Sequence, residues 1–158
     1  MEKVKVRRAK ESDIEMINKL LYQVLTVHSN IRPDLFKPGT KKYSDDELRQ
    51  MIADNDKPIF VAEKDGIVLG YAFCVYQKHT GNNTLTDIKT LYIDDLCVDE
   101  AARNMHIGRL LYHHVAEYAK QNGFYNITLN VWTGNDNAIR FYEKMGLKVQ
   151  KMGMEKIL

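Results

Sequence analysis

The run from Asp94 to Val115 constrains this chain more than any other, because its pattern changes from strand to helix within a few residues. Leu91 to Val98 carries β-branched and aromatic side chains, whereas Ile107, Leu110, Leu111, Val115, Tyr118 and Ala119 recur on one stripe of a 3.6-residue period. A short polar loop joins the two. It brings Arg103 and Arg109 to either side of a helix start at Gly108. Unpaired backbone N–H groups, the positive end of the helix dipole and two cations meet there, which predicts a phosphate site.

Composition narrows the classes of function. With 158 residues the chain suits one domain, 1–158, able to bury roughly two thirds of its unfolded surface without metal or disulfide support. Its 23 basic and 21 acidic residues leave a formal charge of +2 and no clustered basic face, which speaks against nucleic acid as a partner. Cys74 and Cys97 lie in strand-like runs without the paired spacing of a zinc site. As buried free thiols they fit a reducing cytoplasm. The N-terminus is charged without the apolar core of a signal peptide, and the longest apolar run, Ile67 to Tyr76, is too short to span a bilayer as a helix. Neither a Walker phosphate loop nor a dinucleotide glycine fingerprint occurs. His113 and His114 point about 100° apart on a helix, so they form no metal pair.

In chain order, Val4 to Arg7 alternates as a first strand, and Ser12 or Asp13 caps a helix carrying Ile14, Ile17, Leu20, Leu21, Val24 and Leu25. The segment His28 to Tyr43 holds Pro33, Pro38 and Gly39 and is read as irregular, with His28 and His79 solvated in loops. Ser44 to Glu47 has the pattern of a capping box. A hairpin follows through Ile59 to Ala62, the Lys64-Asp65-Gly66 turn and Ile67 to Tyr76. Strand four is expected from Lys89 to Val98 and strand five from Tyr125 to Trp132, with Trp132 serving core or cleft wall. A short helix with Ala138, Phe141, Tyr142 and Met145 on one face comes next, and the tail from Leu147 to Leu158 supplies one more strand or a broken pair. This order indicates an α/β sheet of mixed direction.

Two stretches resemble the GNAT superfamily of N-acetyltransferases. Arg103-x-x-His106-x-Gly108, preceded by Leu96-Cys97-Val98 and followed by Arg109-Leu110-Leu111, resembles that family's acetyl-CoA pyrophosphate loop: Gln or Arg, two residues, Gly, one residue, Gly or Ala. His106 therefore occupies a glycine position and is expected to point outward. Downstream, Asn135-x-x-Ala138-x-x-Phe141-Tyr142-x-x-x-Gly146-Leu147 matches at the right distance. The resemblance implies a GNAT-type mixed, mostly antiparallel sheet flanked by helices, with strands four and five splayed around the cofactor. It implies acetyl-CoA as cosubstrate, no metal, and cofactor contacts from Leu96, Cys97 and Val98, from the loop residues Arg103, Asn104, Met105, His106, Ile107, Gly108 and Arg109, and from Asn135 and Tyr142.

The implied reaction is acetyl transfer to a primary amine of a small molecule, polyamine-like or amino-acid-derived, by direct attack in a ternary complex in the cytoplasm. The expected partner is that amine, with no nucleic acid or membrane; a homodimer is left open. Acetylation of protein or peptide N-termini or lysines, and a non-catalytic acyl-CoA sensor, are the alternatives. Intact Asn135 and Tyr142 weigh against the sensor. The resemblance is weakest over His28 to Tyr43, where family members differ in substrate; Arg32 to Phe36 is either a substrate-side wall or an irregular connection.

The chemistry needs a neutral amine, a polarised carbonyl and a proton for the leaving thiolate. Backbone N–H groups near Cys97 and Val98 meet the second need if a bulge frees them. Cys97 has no His partner to make it a nucleophile. Asp94 and Asp95 face opposite sides by strand alternation, so only one looks into the cleft. Asp94 matches the family's carboxylate that receives the amine proton, and Asp95 is expected to cap or pair within the fold. Tyr142 matches the family's general-acid tyrosine, and a phenol with a pKa of about 10 holds its proton at neutral pH.

Overall fold

The sheet grows from the turn at Asp65-Gly66, where both residues take positive φ (53° and 77°) and reverse the chain tightly enough to pair the flanking strands. The computed structural model describes residues 3–158. Strands β1 (Lys5–Arg8), β2 (Ile59–Lys64), β3 (Ile67–Lys78), β4 (Lys89–Val98) and β5 (Asn126–Leu129) lie in the order β1-β2-β3-β4-β5. The first four run antiparallel, and β5 pairs with β4 in parallel. Helices α1 (Ile14–Ile31) and α2 (Asp45–Ala53) precede β2, α3 (Ile107–Gln121) joins β4 to β5, and α4 (Asp136–Lys144) follows β5. The mixed, mostly antiparallel α/β architecture is the one expected. Among these residues no helix is long and apolar enough to cross a membrane.

The sheet is covered on both faces. Ile17, Leu20 and Leu21 of α1 and Leu48 and Met51 of α2 pack against Val61, Tyr71, Phe73 and Cys97. On the other face Ile107, Leu111, Val115 and Ala119 of α3 pack against Phe60, Ala72, Leu91 and Ile93. Side chains of neighbouring strand residues thus alternate between the two layers.

Several elements differ from the sequence reading. α1 continues through His28 to Ile31 and stops at Arg32, because the residue before Pro33 is kept out of helical geometry. His28 is therefore a half-buried helical residue with its ring 5.3 Å from that of Phe36, not a solvated loop residue. β5 ends at Leu129, so Trp132 lies beyond the sheet, edge-on to Phe36 at 5.6 Å and beneath the Arg32 guanidinium. The expected final strand does not form: no backbone hydrogen bond ties Lys148 to Leu158 to any other described residue.

Asp13 does not cap α1 through its side chain. It accepts two hydrogen bonds from the Arg7 guanidinium (2.8 and 2.9 Å) and one from the Lys10 N–H (2.9 Å), while Arg7 also reaches Glu63 at 2.6 Å. One ion-pair network so clamps β1, β2 and the entrance to α1. Burial alone would push the Asp13 carboxyl up, but the Arg7 and Lys10 hydrogen bonds bring it below its ordinary value. A depressed carboxylate stabilises the fold above its unfolded pKa of about 3.9 and loses that contribution as pH falls further. Asp13→Asn is expected to destabilise the protein by about 1–3 kcal/mol at neutral pH, with a gap that closes on acidification below about pH 4. Chemical denaturation across pH checks both.

Candidate active site

β4 is paired on both sides only as far as Ile93. Its ladder with β5 runs from Thr90↔Asn126 to Ile93↔Leu129 and ends, while its ladder with β3 continues to Val98. From Asp94 onward β4 therefore offers a free edge to the side that β5 has left, and the two strands splay as expected. Asp99 donates its N–H back to Leu69 at 2.8 Å. N–H directions alternate along a strand, so those of Leu96 and Val98 point into the opening. The donors expected near Cys97 and Val98 are present; the parting of the strands frees them, rather than a bulge.

A bulge does something else. Phe73 pairs with Asp95 and Cys74 with Ile93, which leaves Asp94 as an extra residue in β4. The extra residue breaks the alternation and turns both carboxylates toward the α1–α2 layer, which overturns the expectation that they face opposite sides. Asp95 accepts from the Tyr71 hydroxyl at 2.7 Å; Asp94 accepts from the Tyr43 hydroxyl and from Lys42 Nζ at 3.0 Å. Tyr43 in turn stacks on Phe73 at 5.6 Å.

Burial pushes the Asp95 carboxyl up to about 6, against the Tyr71 hydrogen bond and the Lys42 charge that lower it, and the neighbouring Asp94 charge adds to the rise. Burial raises the Tyr142 phenol as well, with the charges of Asp95 and Cys97 adding to the effect, so those groups share one electrostatic neighbourhood. A carboxyl poised near neutrality and a phenol that holds its proton are chemically able to serve as base and acid. Tyr142 reaches this place because α4 is keyed to the start of α3: the Phe141 ring packs edge-to-face on Tyr142, and a Cβ placed on Gly108 would meet it at 3.3 Å.

Cys97 is a packing residue of the same cluster. Its thiol donates to the Leu20 carbonyl at 3.6 Å, and burial, with Asp95 and Asp99 adding, pushes it up beyond use as a nucleophile. Cys74 is buried too, its thiol pushed up to about 12.

The loop after β4 is pinned at its start by Asp99, which is buried and accepts from Ala101 N–H, Gln23 and Lys19. α3 begins at Ile107, one residue before the expected start, and its first helical bond is Leu110 N–H to the His106 carbonyl at 3.1 Å. The N–H groups of Ile107, Gly108 and Arg109 are left for an outside acceptor. Arg103 and Arg109 are exposed and pair with no other described residue. Asn104 and His106 hold left-handed φ of 68° and 60°, Met105 is exposed between them, and the His106 side chain stands outside as predicted. Free N–H groups and two unpaired cations suit a pyrophosphate, and the open edge at Leu96 and Val98 suits an amide-bearing arm. The residues present thus fit an acyl-CoA.

Asn135 caps α4, its side-chain oxygen accepting from Ala138 N–H at 3.4 Å, and borders a groove of about 410 Å³ between α4 and α1. Sequence reasoning missed Lys42, Tyr43 and Tyr71. Tyr71 reads as a core aromatic, and nothing in the composition of residues 28–43 distinguishes Tyr43 from its neighbours. Among the described residues no cluster of His, Cys, Asp and Glu is arranged to hold a metal ion.

The sequence signature of the acetyltransferase (GNAT) family matches residues 24–147. The chain belongs to that family, whose members are acyl-CoA-dependent transferases. Tyramine N-feruloyltransferase 4/11 of Nicotiana tabacum is 25% identical over 92% of this chain and 83% of its own length. Streptothricin acetyltransferase of Streptomyces lavendulae is 35% identical over 59% of this chain and 46% of its own. A crystal structure of a point mutant of the BH1408 protein from Bacillus halodurans superposes with a TM-score of 0.93 at 29% identity, covering 98% of this chain and 99% of that one.

Two outcomes follow for the phosphate end. A left-handed histidine carries backbone strain of about 1 kcal/mol that glycine does not, so His106→Gly is expected to raise thermal stability and to bind CoA at least as tightly. Arg103→Ala and Arg109→Ala are each expected to weaken CoA by about 10- to 100-fold, read by calorimetry. Gly108 is a poorer probe, because any side chain there presses on Phe141.

Proposed function

We propose that the protein is an acetyl-CoA-dependent N-acetyltransferase acting on a primary amine of a small molecule, in the cytoplasm. The observation that carries this reading is the open edge of β4 beyond Ile93, where β5 has left and the Leu96 and Val98 N–H groups are unpaired in a strand that also carries Asp94 and Asp95. Beside Asp94 a cavity of about 270 Å³ is lined by Tyr43, Glu47, Gln50, Met51, Asp54, Lys57 and Val75. Its volume suits a small acceptor, and its three carboxylates against one lysine suit a cation. The tobacco relative's name includes an amine, tyramine, as its acceptor.

When bound, acetyl-CoA supplies an activated thioester acetyl group. The protein's own residues supply the rest. The Asp94 carboxylate, held by Lys42 and Tyr43, attracts and orients the incoming ammonium. The family resemblance points to Asp94 as the proton acceptor; the raised pKa of the Asp95 carboxyl suits that task better, which leaves Asp94 to position the amine. The N–H groups of Leu96 and Val98 offer donors to a carbonyl oxygen that gains negative charge as the N–C bond forms. Tyr142 gives its proton to the departing sulfur as the C–S bond breaks.

Thiol release from acetyl-CoA over a panel of small amines and peptides tests the reading; absence of turnover with every amine overturns it. Tyr142→Phe is expected to lower kcat by about 10² or more with CoA binding little changed, because only the hydroxyl is lost. Asp95→Asn is expected to lower kcat by a similar factor and to abolish the acid limb of the pH profile near pH 6. Asp94→Asn chiefly raises KM. Stability moves the other way at Asp95. Its folded pKa lies above the unfolded value, so its stabilising contribution is full below about pH 4. That contribution is lost as pH rises through 6. Asn, which never ionises, is therefore expected to raise Tm at pH 8. A calorimetric scan reads this.

A further inference from the structure

Lys42 carries a primary amine to the carboxylate at which an acceptor amine is wanted. Its Nζ lies 3.0 Å from Asp94 Oδ1 and 5.4 Å from the centroid of the Tyr43 ring, so a carboxylate and an aromatic face hold this ammonium between them. Tyr43 donates its hydroxyl to the same carboxylate and stacks on Phe73 at 5.6 Å, which anchors the backbone that presents Lys42 on the sheet. The neighbouring Lys41 is turned away, to Asn18 and Asp45 at 2.7 Å each. Of the lysine ion pairs among the described residues, with Asp99, Asp45, Asp94, Asp87 and Glu117, only that of Lys42 ends on a carboxylate of β4.

An ammonium seated on Asp94 is the acceptor's own chemistry supplied by the chain. Resting on the acetyl transfer proposed above, we propose that Lys42 is itself an acceptor: with acetyl-CoA bound and no free amine to displace it, the chain acetylates its own Nζ. The Lys42 side chain is half-exposed, and such an ion pair holds its partners weakly. Leu96, whose N–H faces the opening, lies two residues, about 7 Å, along the strand from Asp94. The flexible four-carbon stem of a lysine covers that distance by rotation.

The step balances with acetyl-CoA as the only co-reactant. One proton of the Lys42 ammonium passes to the Asp94 and Asp95 carboxylates. The freed amine forms an N–C bond to the thioester carbonyl carbon, and the C–S bond breaks. The sulfur leaves as CoA thiol with the proton of Tyr142, which the second proton from nitrogen replaces. The products are Nε-acetylated Lys42, CoA and one proton released to water. The amide is neutral and no longer pairs with Asp94, so the carboxylate is then open to a free ammonium.

Incubation of the full chain with acetyl-CoA and no amine, followed by peptide mapping by mass spectrometry, tests this. Acetyl is expected on Lys42 about 10² times faster than on the exposed tail lysines Lys148, Lys151 and Lys156, the lower end of what positioned acid and base groups supply. The rate constant is expected to be independent of protein concentration, as for transfer within one chain. Tyr142→Phe is expected to slow Lys42 and leave the tail lysines unchanged, and Lys42→Arg to remove the fast phase of acetylation. Acetylation of Lys42 no faster than of the tail, a rate constant that grows with protein concentration, indifference to Tyr142→Phe, or a fast phase that survives Lys42→Arg would each overturn the proposal. Turnover of the amine panel without acetyl on Lys42 would overturn it alone and leave the N-acetyltransferase reading standing, whereas absence of both would overturn the two together.

Discussion

The parting of β4 from β5 after Ile93 is the constraint on which the rest of the site depends. A sheet satisfies its backbone groups by pairing, and a strand that loses its neighbour midway must find other partners for its amides. β4 keeps β3 on one side and opens on the other, so Leu96 and Val98 present fixed donors without any loop flexibility. The same parting leaves the start of α3 open to α4, whose Phe141 ring packs there. Phe141 of that helix rests close against Gly108 on the first turn of α3, where a Cβ would meet its ring at 3.3 Å. Strand edge, helix start and aromatic helix are therefore placed by one another.

The bulge at Asp94 solves a second problem. Two adjacent carboxylates in a strand would ordinarily be sent to opposite layers, one of them into the apolar contact with α3. The extra residue directs both to the layer where hydroxyl groups await them, Tyr43 for Asp94 and Tyr71 for Asp95. Each hydroxyl donates to its carboxylate, yet the two acids end in different states of solvation. Asp94 is tied to a lysine near the surface, whereas Asp95 sits deep enough for burial to dominate. Difference of environment, not of residue type, separates the two carboxylates.

Much of this was legible in the residues. β4 was bounded correctly at Lys89 and Val98, because a dense run of β-branched and aromatic side chains flanked by polar loops leaves little ambiguity. The hairpin turn and the Ser44–Glu47 capping box are local chemistry, and the structure forms both as the sequence indicates. What failed was non-local. Nothing near Asp94 announces a bulge, which is a property of the register with Phe73 and Cys74. Tyr43 gains its meaning only from a partner far along the chain. The end of α1 is not legible locally, because His28 resembles a loop residue until Phe36 packs against it. The tail has the composition of a strand, but a strand is realised only when another backbone lies beside it.

The burial of both cysteines bears on how the protein meets oxidants. Cys97 points its sulfur at a helix carbonyl beneath the sheet, and Cys74 lies in the opposite layer, each with its thiolate strongly disfavoured. Peroxides, disulfides and alkylating reagents all attack the thiolate and need access to it. The folded chain therefore offers these reagents almost nothing, and its redox state is decoupled from that of its surroundings. In a solution of the native protein, thiol reactivity belongs to whatever sulfur the reaction sets free.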